Sequence, residues 1–381
     1  MLHRLHVFPN LILLLVSLLV QFLLSILVVA NPAWRSTGRR TLLVAANLLT
    51  SALLVGSYLT TFKRTWRHLP NVWGEWLEAS GLVISVSLTG LYLGILVWRA
   101  APRYQPPRRT FMKTLAASLA AAPAVVTAIG AAKRHAIGLS EVNVVIPNLP
   151  KDLDGLRLVQ VTDIHLSPFF SEKDLARSID IANETRAHIA LVTGDLISRI
   201  GDPLDACLRQ LARLRAEAGV LGCLGNHEIY TSTEDYVTEQ GKRIGIEFLR
   251  NSTRLFQFGT AALNFAGVDY QRFGQPYLVG TEKLVSPNHI NILLSHNPDV
   301  FPVAARKGFD LTIGGHTHGG QVNFEILHQN VNVALLFTRF VRGMYRRDGK
   351  SLYVGSGLGT IGVPVRLGAP PEISLVRLCA S

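Results

Sequence analysis

Short apolar runs, each leading into an Asp, Asn or His, recur along the C-terminal two thirds of the chain. The runs have strand length and are rich in branched aliphatic residues; they cover residues 156–161, 189–192, 220–224, 290–294 and 311–313. The polar segments that follow them are Asp163-Ile164-His165, Gly194-Asp195, Gly225-Asn226-His227-Glu228, His296 and Gly315-His316-Thr317-His318. Parallel strands place their carboxyl ends on one rim of a sheet, where open α/β folds bind ligands. The pattern therefore predicts an α/β domain whose Asp, Asn and His side chains converge on one site.

Each of these residues also has a structural interpretation when it is taken alone. A single histidine such as His296 is ordinarily a structural or surface residue, Asp195 can cap a helix, and Asn226 can occupy a turn. The structural interpretation must hold at every segment independently, so the combined pattern favours a metal centre. Imidazole together with carboxylate and amide oxygens suits Mn, Fe or Zn better than Ca or Mg, which prefer oxygen ligands throughout.

The order D-x-H, G-D, G-N-H-E, H and G-H-x-H resembles the calcineurin-like metallophosphoesterase superfamily. The extension H-T-H-G-G-Q, from His316 to Gln321, is similar to its membrane-associated branch, in which the catalytic domain follows a transmembrane or twin-arginine segment. The resemblance covers about residues 142–378. It implies an α/β fold with N-terminal transmembrane helices followed by a two-sheet metallophosphoesterase sandwich flanked by helices.

The resemblance also implies roles for individual residues. The first of two divalent ions would be held by Asp163, His165, Asp195 and His318, and the second by Asp195, Asn226, His296 and His316. His227 resembles the histidine that protonates the leaving group or steadies the charged transition state, with Asp163 orienting it. The implied reaction is hydrolysis of a phosphomonoester or phosphodiester through attack by a hydroxide shared between the two metals.

The distribution of charge argues against a nucleic-acid partner. The formal net charge is +12, but residues 1–149 carry 14 Lys or Arg and 3 Asp or Glu, whereas residues 150–381 carry 24 and 23. A domain that binds DNA or RNA presents a basic stripe, and the predicted catalytic domain is nearly neutral. The basic excess instead lies in the apolar N-terminal part, where it indicates membrane topology.

Four apolar stretches precede the predicted catalytic domain. Residues 11–30 are interrupted only by uncharged polar side chains, and residues 42–62 and 79–98 contain no charged residue. Each approaches the roughly 20 residues that cross a hydrocarbon core, whereas residues 114–132 are Ala-rich and contain Pro123. The absence of internal charges favours an anchor over a transporter. We expect a membrane domain of about four transmembrane helices over residues 1–135 and a metallophosphoesterase domain over residues 140–381.

The basic loops give an expected orientation. Residues 108–113, R-R-T-F-M-K, resemble a twin-arginine motif placed internally and are equally typical of a basic cytoplasmic loop. Either interpretation puts eight bases inside (Arg35, Arg39, Arg40, Arg99, Arg103, Arg108, Arg109 and Lys113) and six outside (Arg4, Lys63, Arg64, Arg67, Lys133 and Arg134). The prediction is a multi-pass protein of the bacterial cytoplasmic (inner) membrane with its catalytic domain on the outer face.

An anchored enzyme meets phosphoesters carried by membrane lipids, so lipids are the expected partners. The branch also resembles enzymes that cleave the pyrophosphate of a UDP-diacylglucosamine in lipid A synthesis, a cytoplasmic substrate that conflicts with the outward orientation. Residues 329–345 interleave Leu335, Leu336, Phe337, Phe340 and Met344 with Arg339 and Arg342. This segment is either an apolar and basic lip that touches lipid or an ordinary buried strand and turn. Arg272, beside Tyr270 and Phe273, is a candidate for binding substrate phosphate.

A second hypothesis, from another functional class, remains open. The chain can be a non-catalytic membrane scaffold or metal-sensing protein that uses the same fold for protein contacts. The three cysteines (Cys207, Cys223 and Cys379) show no metal-type pairing and indicate no disulfide framework.

Further elements are predicted from periodicity. Residues 172–184 and 203–217 have helical spacing, the second with a Leu stripe for core packing. Later strands at residues 263–268, 322–324, 351–354 and 373–378 suggest a second sheet packed against the first.

Overall fold

The computed structural model describes residues 4–29, 37–67, 72–101, 106–272, 274, 276–326 and 329–381. Several basic residues used above to predict membrane orientation lie outside this description: Arg35 and Arg103, and the side chains of Arg4, Arg39, Arg40, Lys63, Arg64 and Arg67. The same holds for Phe273 and for the side chains of residues 326–330. The chain divides into a unit of residues 1–131 with 362–364 and a unit of residues 132–361 with 365–381.

The first unit contains four helices, one at each predicted apolar stretch: α1 (Arg4–Val29), α2 (Thr37–Arg67), α3 (Val72–Ala100) and α4 (Pro106–Lys133). Among the described residues, Gly74–Ala100 and Pro106–Lys133 are long and apolar enough to cross a membrane, with mean hydropathies of 1.9 and 1.8. The apolar helical parts Leu14–Ile26 and Val44–Ser57 are shorter. The stretch around Pro123 was expected to be the weakest, yet α4 continues through this proline as one helix of 28 residues.

Polar residues inside the apolar stretches pair between α1 and α2. Gln21 is buried; its side-chain amide donates to the carbonyl of Asn47 at 2.7 Å, and its side-chain oxygen accepts from Ser51 at 3.1 Å. Such hydrogen bonds satisfy polar groups that an apolar environment leaves without water. They explain why an otherwise aliphatic helix carries a glutamine at its middle.

The second unit contains two six-stranded sheets. Its strands are β1 (Gly138–Ile146), β2 (Arg157–Val161), β3 (Ile189–Val192), β4 (Gly219–Gly222), β5 (Ile246–Phe248), β6 (Ser252–Phe258), β7 (Ala261–Gly267), β8 (Ile290–Leu294), β9 (Leu311–Gly314), β10 (Asn323–Ile326), β11 (Gln329–Asn332), β12 (Gly343–Arg347), β13 (Lys350–Val354) and β14 (Glu372–Ala380). The first sheet has the order β1-β14-β2-β3-β4-β5, and the second β12-β13-β9-β8-β7-β6. Strands β10 and β11 form a separate antiparallel pair. The fold is thus the predicted α/β architecture with two sheets.

Helices cover the outer faces of the sheets. They are α5 (Glu172–Glu184), α6 (Leu204–Leu211), α7 (Asn226–Thr231), α8 (Glu234–Arg243) and α9 (Phe301–Lys307). Alternate residues of the inner strands enter different cores: Val159 and Ala190 pack with Leu175 and Leu208 of the helices. Leu158 and its neighbours instead form the core shared with the second sheet. The central strands are buried on both faces, which is why they read as continuous apolar runs.

The sheet assignments differ from expectation at three places. The strand predicted at residues 373–378 does not join the second sheet, because β14 inserts between β1 and β2 in the first. The strand predicted at residues 322–324 belongs to the β10–β11 pair. The five ligand-bearing strands do not share one sheet either: β2, β3 and β4 are parallel neighbours in the first, and β8 and β9 in the second.

One helix is shorter than predicted. α6 ends at Leu211 instead of continuing to residue 217. The amides of Glu217 and Ala218 donate to the carbonyls of Ala187 and His188, which draws the chain into β4 beside β3. Leu214 stays buried beyond the end of the helix, so the Leu stripe still supplies the core.

Candidate metal centre

Sharp turns at the ends of the ligand-bearing strands bring the two sheets together at one rim. The backbone amide of Asp163, after β2, donates to the carbonyl of Gly194, after β3. The backbone amide of His165 donates to the backbone carbonyl of Asp195. The amide of His316, after β9 in the other sheet, donates to the Asp163 carboxylate at 2.9 and 3.1 Å. A side chain cannot fit at Gly315, because its Cβ would lie 2.2 Å from the Asp163 carboxylate.

The metal-type atoms of six predicted ligands form two groups. Asp163, His165 and His318 offer ligand atoms within 4.8 Å of one another, and so do Asp195, His296 and His316. The Asp195 Oδ2 atom lies 3.4 Å from Nε2 of His165 and 3.0 Å from Nε2 of His296, so it stands between the groups. A further combination within the same limit is His165, Asp195 and His227. The structure thus collects carboxylate and imidazole donors from both sheets in one buried place.

Two buried donor atoms at this place contact each other: Asp195 Oδ2 lies 3.0 Å from His296 Nε2 and 3.4 Å from His165 Nε2. Among the described residues, the buried Asn226 Oδ1 atom has no hydrogen-bond partner. A buried polar atom without a partner costs about 1–3 kcal/mol. The Nε2 atoms of His165 and His318 lie 3.1 Å apart. Oxygen and nitrogen donor atoms that lie this close together fit divalent cations. The assignment of Asn226 to the second ion stays a prediction.

The histidine rings are held through their other nitrogen. Nδ1 of His296 lies 2.7 Å from the carbonyl of Thr193, and Nδ1 of His318 lies 3.3 Å from that of Gly359. Nδ1 of His165 lies 3.2 Å from the Ser198 hydroxyl. An N–H bonded to a carbonyl fixes the tautomer and leaves Nε2 available for a metal, an arrangement typical of metal-binding histidines.

His227 lies on the same rim but is held differently. Its Nδ1 atom lies 2.6 Å from the Ser198 carbonyl, and its backbone amide donates to Asp195 Oδ1 at 2.9 Å. The contacts of Asp163 go instead to Thr162, to the His316 amide and to neighbouring histidines. The described hydrogen bonds of His227 are thus with Ser198 and Asp195, and the orienting role of Asp163 stays a prediction.

The charges of the site are strongly coupled. Burial raises the pKa of Asp163. Burial also acts to raise the pKa of Asp195, but the positive charges of His296 and His227 outweigh it and place this pKa well below its usual range. Burial opposes the charged form of His296, yet Asp195 and Asp163 raise its pKa to about 10. Burial lowers the pKa of His227 to about 4 and that of His316 to about 3. Without a metal, the site therefore concentrates positive charge on His296 beside two carboxylates.

Glu228, for which no role was predicted, holds two of the turns at the site together. Its carboxylate is fully buried and accepts the amides of Asp195, Leu196 and Gly225 at 2.9, 2.8 and 2.7 Å. These three bonds join the turn after β3 to the turn after β4. Glu228 therefore fixes the turns that carry Asp195 and Asn226.

Arg366 contacts the predicted ligand His318 and the backbone around it. It is fully buried, and its guanidinium donates to the carbonyls of His318, Ser356 and Gly359 at 3.0, 2.9 and 3.0 Å. Burial lowers the pKa of Arg366 to about 10. Burial, with the nearby His165 and Arg366, lowers the pKa of His318 well below its ordinary value. Arg366 thus holds the backbone around His318 and favours the neutral imidazole.

Tyr270, in the loop after β7, faces the second group of ligands. Its ring centroid lies 5.6 Å from that of His316 and 6.0 Å from that of His296. The hydroxyl is buried and has no hydrogen-bond partner among the described residues. Two residues further along, Arg272 is exposed, and its charge acts on Tyr230. The Tyr230 ring in turn lies 5.4 Å from that of His227.

Comparisons with known proteins agree with this geometry. The calcineurin-like phosphoesterase family matches residues 156–320. An uncharacterized metallophosphoesterase of Aquifex aeolicus is 30% identical over 244 residues, which are 60% of this chain and 87% of that protein. The chain belongs to the calcineurin-like phosphoesterase family.

Two further relatives of this calcineurin-like phosphoesterase extend the similarity. The uncharacterized metallophosphoesterase YkuE of Bacillus subtilis is 29% identical over 284 residues, or 71% of this chain and 97% of that protein. A protein of Danio rerio named transmembrane protein with metallophosphoesterase domain is 28% identical over 362 residues, or 87% of this chain and 79% of that protein. The family and the donor set together are those of a metal-dependent phosphoester hydrolase.

Proposed function

We propose that the chain is a membrane-anchored phosphoesterase that hydrolyses phosphomonoesters or phosphodiesters with two divalent ions. The observation that carries the proposal is the pair of donor groups that meet at Asp195 Oδ2, a buried carboxylate oxygen within 3.4 Å of imidazoles from both sheets. Two adjacent cations activate water and neutralise phosphoryl oxygens in an in-line displacement.

In this proposal the ligands divide between the two ions. Asp163, His165, Asp195 and His318 hold the first, and Asp195, Asn226, His296 and His316 the second, with Mn, Fe or Zn as the metals. The grouping is supported by the two sets of mutually close donor atoms and by the unpartnered oxygen of Asn226. The mixture of imidazole, carboxylate and amide donors suits these transition metals.

His227 is the proposed proton donor to the leaving-group oxygen. Its Nδ1 atom faces the Ser198 carbonyl, so Nε2 is the nitrogen left to exchange a proton with substrate. Burial keeps its pKa near 4 in the free protein, and a dianionic or monoanionic phosphoester beside the ring favours the imidazolium. His227 then acts after substrate has bound.

Three residues form the proposed contact with the substrate phosphate. Arg272 supplies a charged donor, as expected from the sequence, and Tyr270 and Tyr230 supply hydroxyl donors on the same side. Charge-assisted hydrogen bonds of this kind orient a phosphoryl group. The buried Tyr270 hydroxyl has the stronger support, because no other described group satisfies it.

The membrane part of the proposal draws on different support. Two described helices are long and apolar enough to span a bilayer, and a relative that matches 87% of this chain is named a transmembrane protein. We place the chain in a bacterial cytoplasmic membrane with the catalytic unit on the outer face, where phosphoesters of membrane lipids are the expected substrates. This orientation excludes the cytoplasmic UDP-diacylglucosamine, so the two earlier expectations are alternatives.

The test uses the full chain in detergent, stripped of metal and reloaded with Mn²⁺. Hydrolysis of bis-p-nitrophenyl phosphate and p-nitrophenyl phosphate is compared for wild type, Asp195→Asn and a control, Asp180→Asn, on the exposed face of α5. We expect Asp195→Asn to lose turnover by about two orders of magnitude or more, since the shared ligand serves both ions. Equal turnover in Asp195→Asn and the control would contradict the proposal. Metal binding without turnover in wild type would favour the scaffold or sensor alternative.

A further inference from the structure

An exposed apolar surface adjoins the turn His318–Gly320, which begins at a predicted metal ligand. We call this surface the apolar lip, and it consists of Phe324, Val331, Val333, Leu335, Leu336 and Phe337. Leu336 is 79% exposed, Phe337 71% and Val333 65%. Large apolar side chains that cluster at such exposure mark a surface that contacts another apolar phase.

The lip is a built structure. Phe324 and Val331 are cross-strand partners in the β10–β11 pair, so they lie on the same face. The chain then enters a short 3-10 turn, Val333–Leu336, which Asn332 caps by accepting the Leu335 amide at 3.2 Å. The Asn332 amide also donates to Asn323 at 3.0 Å, which ties the cap to β10. These bonds hold the apolar side chains outward.

The lip also connects directly to the metal centre. The turn His318–Gly320 packs against the turn Val333–Leu336. Gly320 has a φ of +79°, and a Cβ there would lie 2.5 Å from the Asn332 side chain. The Thr317 hydroxyl, between the ligands His316 and His318, donates to the carbonyl of Val341. Whatever covers the lip is therefore held beside the predicted metal ligands.

The remainder of the segment shows where the lip ends. Phe340 is half-buried and packs edge-on against Phe301 and Tyr345, with ring centroids 5.8 and 5.1 Å apart. Arg342 pairs with the buried Glu372 at 2.8 Å. The two interpretations of residues 329–345 thus apply to different parts: the part up to Phe337 is exposed, and the part from Phe340 onward packs into the domain.

The basic residues near the apolar lip indicate which kind of apolar phase it contacts. Residues 338–350 carry five bases and one acid. Three of the bases pair with acids of the protein (Arg342 with Glu372, Arg347 with Asp348 and Lys350 with Asp310), and Arg339 and Arg346 are exposed. Apolar tips flanked by basic side chains fit a bilayer with anionic head groups, where the tips enter the acyl boundary and the bases meet phosphate. The same chain carries two helices long and apolar enough to cross a bilayer, Gly74–Ala100 and Pro106–Lys133.

We propose that the apolar lip inserts into the surface of an anionic bilayer and holds the metal centre against it, so that the enzyme takes phosphoesters of membrane lipids. This inference rests on the membrane anchoring in the proposed function. It deepens that function by naming the surface that meets the lipid.

The experiment places a fluorophore at the lip of the full chain. Leu336→Cys is made in a Cys379→Ser background, labelled with a nitrobenzoxadiazole probe and reconstituted into vesicles of phosphatidylcholine and phosphatidylglycerol. Cys207 and Cys223 are fully buried and stay unlabelled. The control is Leu255→Cys, which is also exposed, at 51%, on the edge strand β6 of the second sheet. Phe337→Cys serves as a second lip position if Leu336→Cys does not fold.

The expected result is emission at shorter wavelength from the lip than from residue 255, with loss of intensity when the acyl chains carry nitroxide quenchers. Emission at residue 336 that matches the control and resists quenching would overturn the proposal. A short-wavelength emission that lipid nitroxides do not quench would also overturn it, because a protein surface, such as a second copy of the chain, would then cover the lip. The readout needs no turnover, so it stands apart from the test of hydrolysis.

Discussion

At the scale of single residues, five of the seven predicted metal ligands share an uncommon backbone conformation. Asp163, His165, Asp195, His316 and His318 all have positive φ, between 46° and 75°. Non-glycine residues in this region cost about 1 kcal/mol or more each and persist only where surrounding bonds hold them. Here those bonds include the His316 amide to Asp163 and the Glu228 carboxylate to the Asp195 amide. Hydrogen bonds from neighbouring turns thus maintain the strained backbone of these residues, and the site is preorganised.

Tyr270→Phe tests the residue most directly aimed at substrate. Removing only the hydroxyl should lower kcat/KM for bis-p-nitrophenyl phosphate about 10- to 100-fold, which corresponds to one hydrogen bond to a charged group. Bound metal, measured by mass spectrometry, should be unchanged, because no metal ligand is touched. Tyr353→Phe, a buried tyrosine of β13, is the matched control. An unchanged kcat/KM in Tyr270→Phe would remove Tyr270 from the substrate contact.

The site residues that only the structure reveals were missed in the sequence for one physical reason. The ligands were predictable because each carries metal chemistry at a strand end. Glu228, Arg366 and Tyr270 act through contacts distant in sequence, and their local sequence is ambiguous. Arg366 stands between glycines and prolines, a context typical of an exposed loop, yet it is fully buried behind His318. Only the fold reveals that its donors meet four backbone carbonyls, those of His318, Ser356, Gly359 and Ala369.

At the scale of elements, helix α5 has a well-formed N-terminus. Ser171 Oγ accepts the Asp174 amide at 3.2 Å, and the Asp174 carboxylate accepts the Ser171 amide at 3.1 Å. His135 lies 3.2 Å from the other Asp174 oxygen. Burial acts to raise the pKa of Asp174, but the bonds from Ser171 and His135 outweigh it and lower this pKa below 3.8.

Asp174→Asn should therefore destabilise the protein in a pH-dependent way. A carboxyl whose folded pKa is depressed stabilises the fold above its unfolded pKa and loses this contribution as pH falls through the folded value. We expect the substitution to lower the free energy of unfolding by about 1 kcal/mol at pH 7, and by less as pH falls below 3.8. Denaturant unfolding at several pH values measures both. The exposed Asp180→Asn on the same helix should show neither effect, and a constant penalty for Asp174→Asn at all pH values would contradict the account.

The bounds of several elements could be predicted from the sequence, whereas the pairing of the strands could not. Ile189–Val192, Ile290–Leu294 and α5 match the predicted bounds, because strands buried on both faces and amphipathic helices carry strong local patterns. Pairing partners are not encoded locally. The apolar run of β14 is equally suited to either sheet, and its place between β1 and β2 follows from contacts with residues more than 200 positions away. The exposed β6 was not predicted because it lacks a buried face.

At the scale of the whole molecule, two kinds of surface point to a membrane. The apolar helices of the N-terminal unit and the apolar lip beside the metal centre both expose large apolar side chains, and such clusters mark surfaces that contact another molecule or a membrane. An enzyme that is anchored in a bilayer and carries such a lip would meet lipid phosphoesters by diffusion in two dimensions. The proposed orientation decides which leaflet supplies that substrate.

Protease protection tests the orientation. The basic residues at 108–113, in the first turns of α4, favour the cytoplasm and so put the C-terminal unit on the outer face. In spheroplasts that produce the full chain, added protease should therefore remove this unit. The fragment is followed with an antibody to the C-terminus, and a cytoplasmic protein serves as the control for intact membranes. A C-terminal unit that is shielded until the membrane is opened would reverse the orientation and restore cytoplasmic substrates.

The central claim is that two ions at the shared Asp195 carry out the hydrolysis. The most direct test titrates Mn²⁺ into the metal-free full chain while bound Mn²⁺ and bis-p-nitrophenyl phosphate hydrolysis are measured on the same samples. The account predicts that turnover rises with the second bound ion and that Asp195→Asn binds fewer ions and stays inactive. Full turnover without bound metal, or full turnover at one ion per chain, would contradict it.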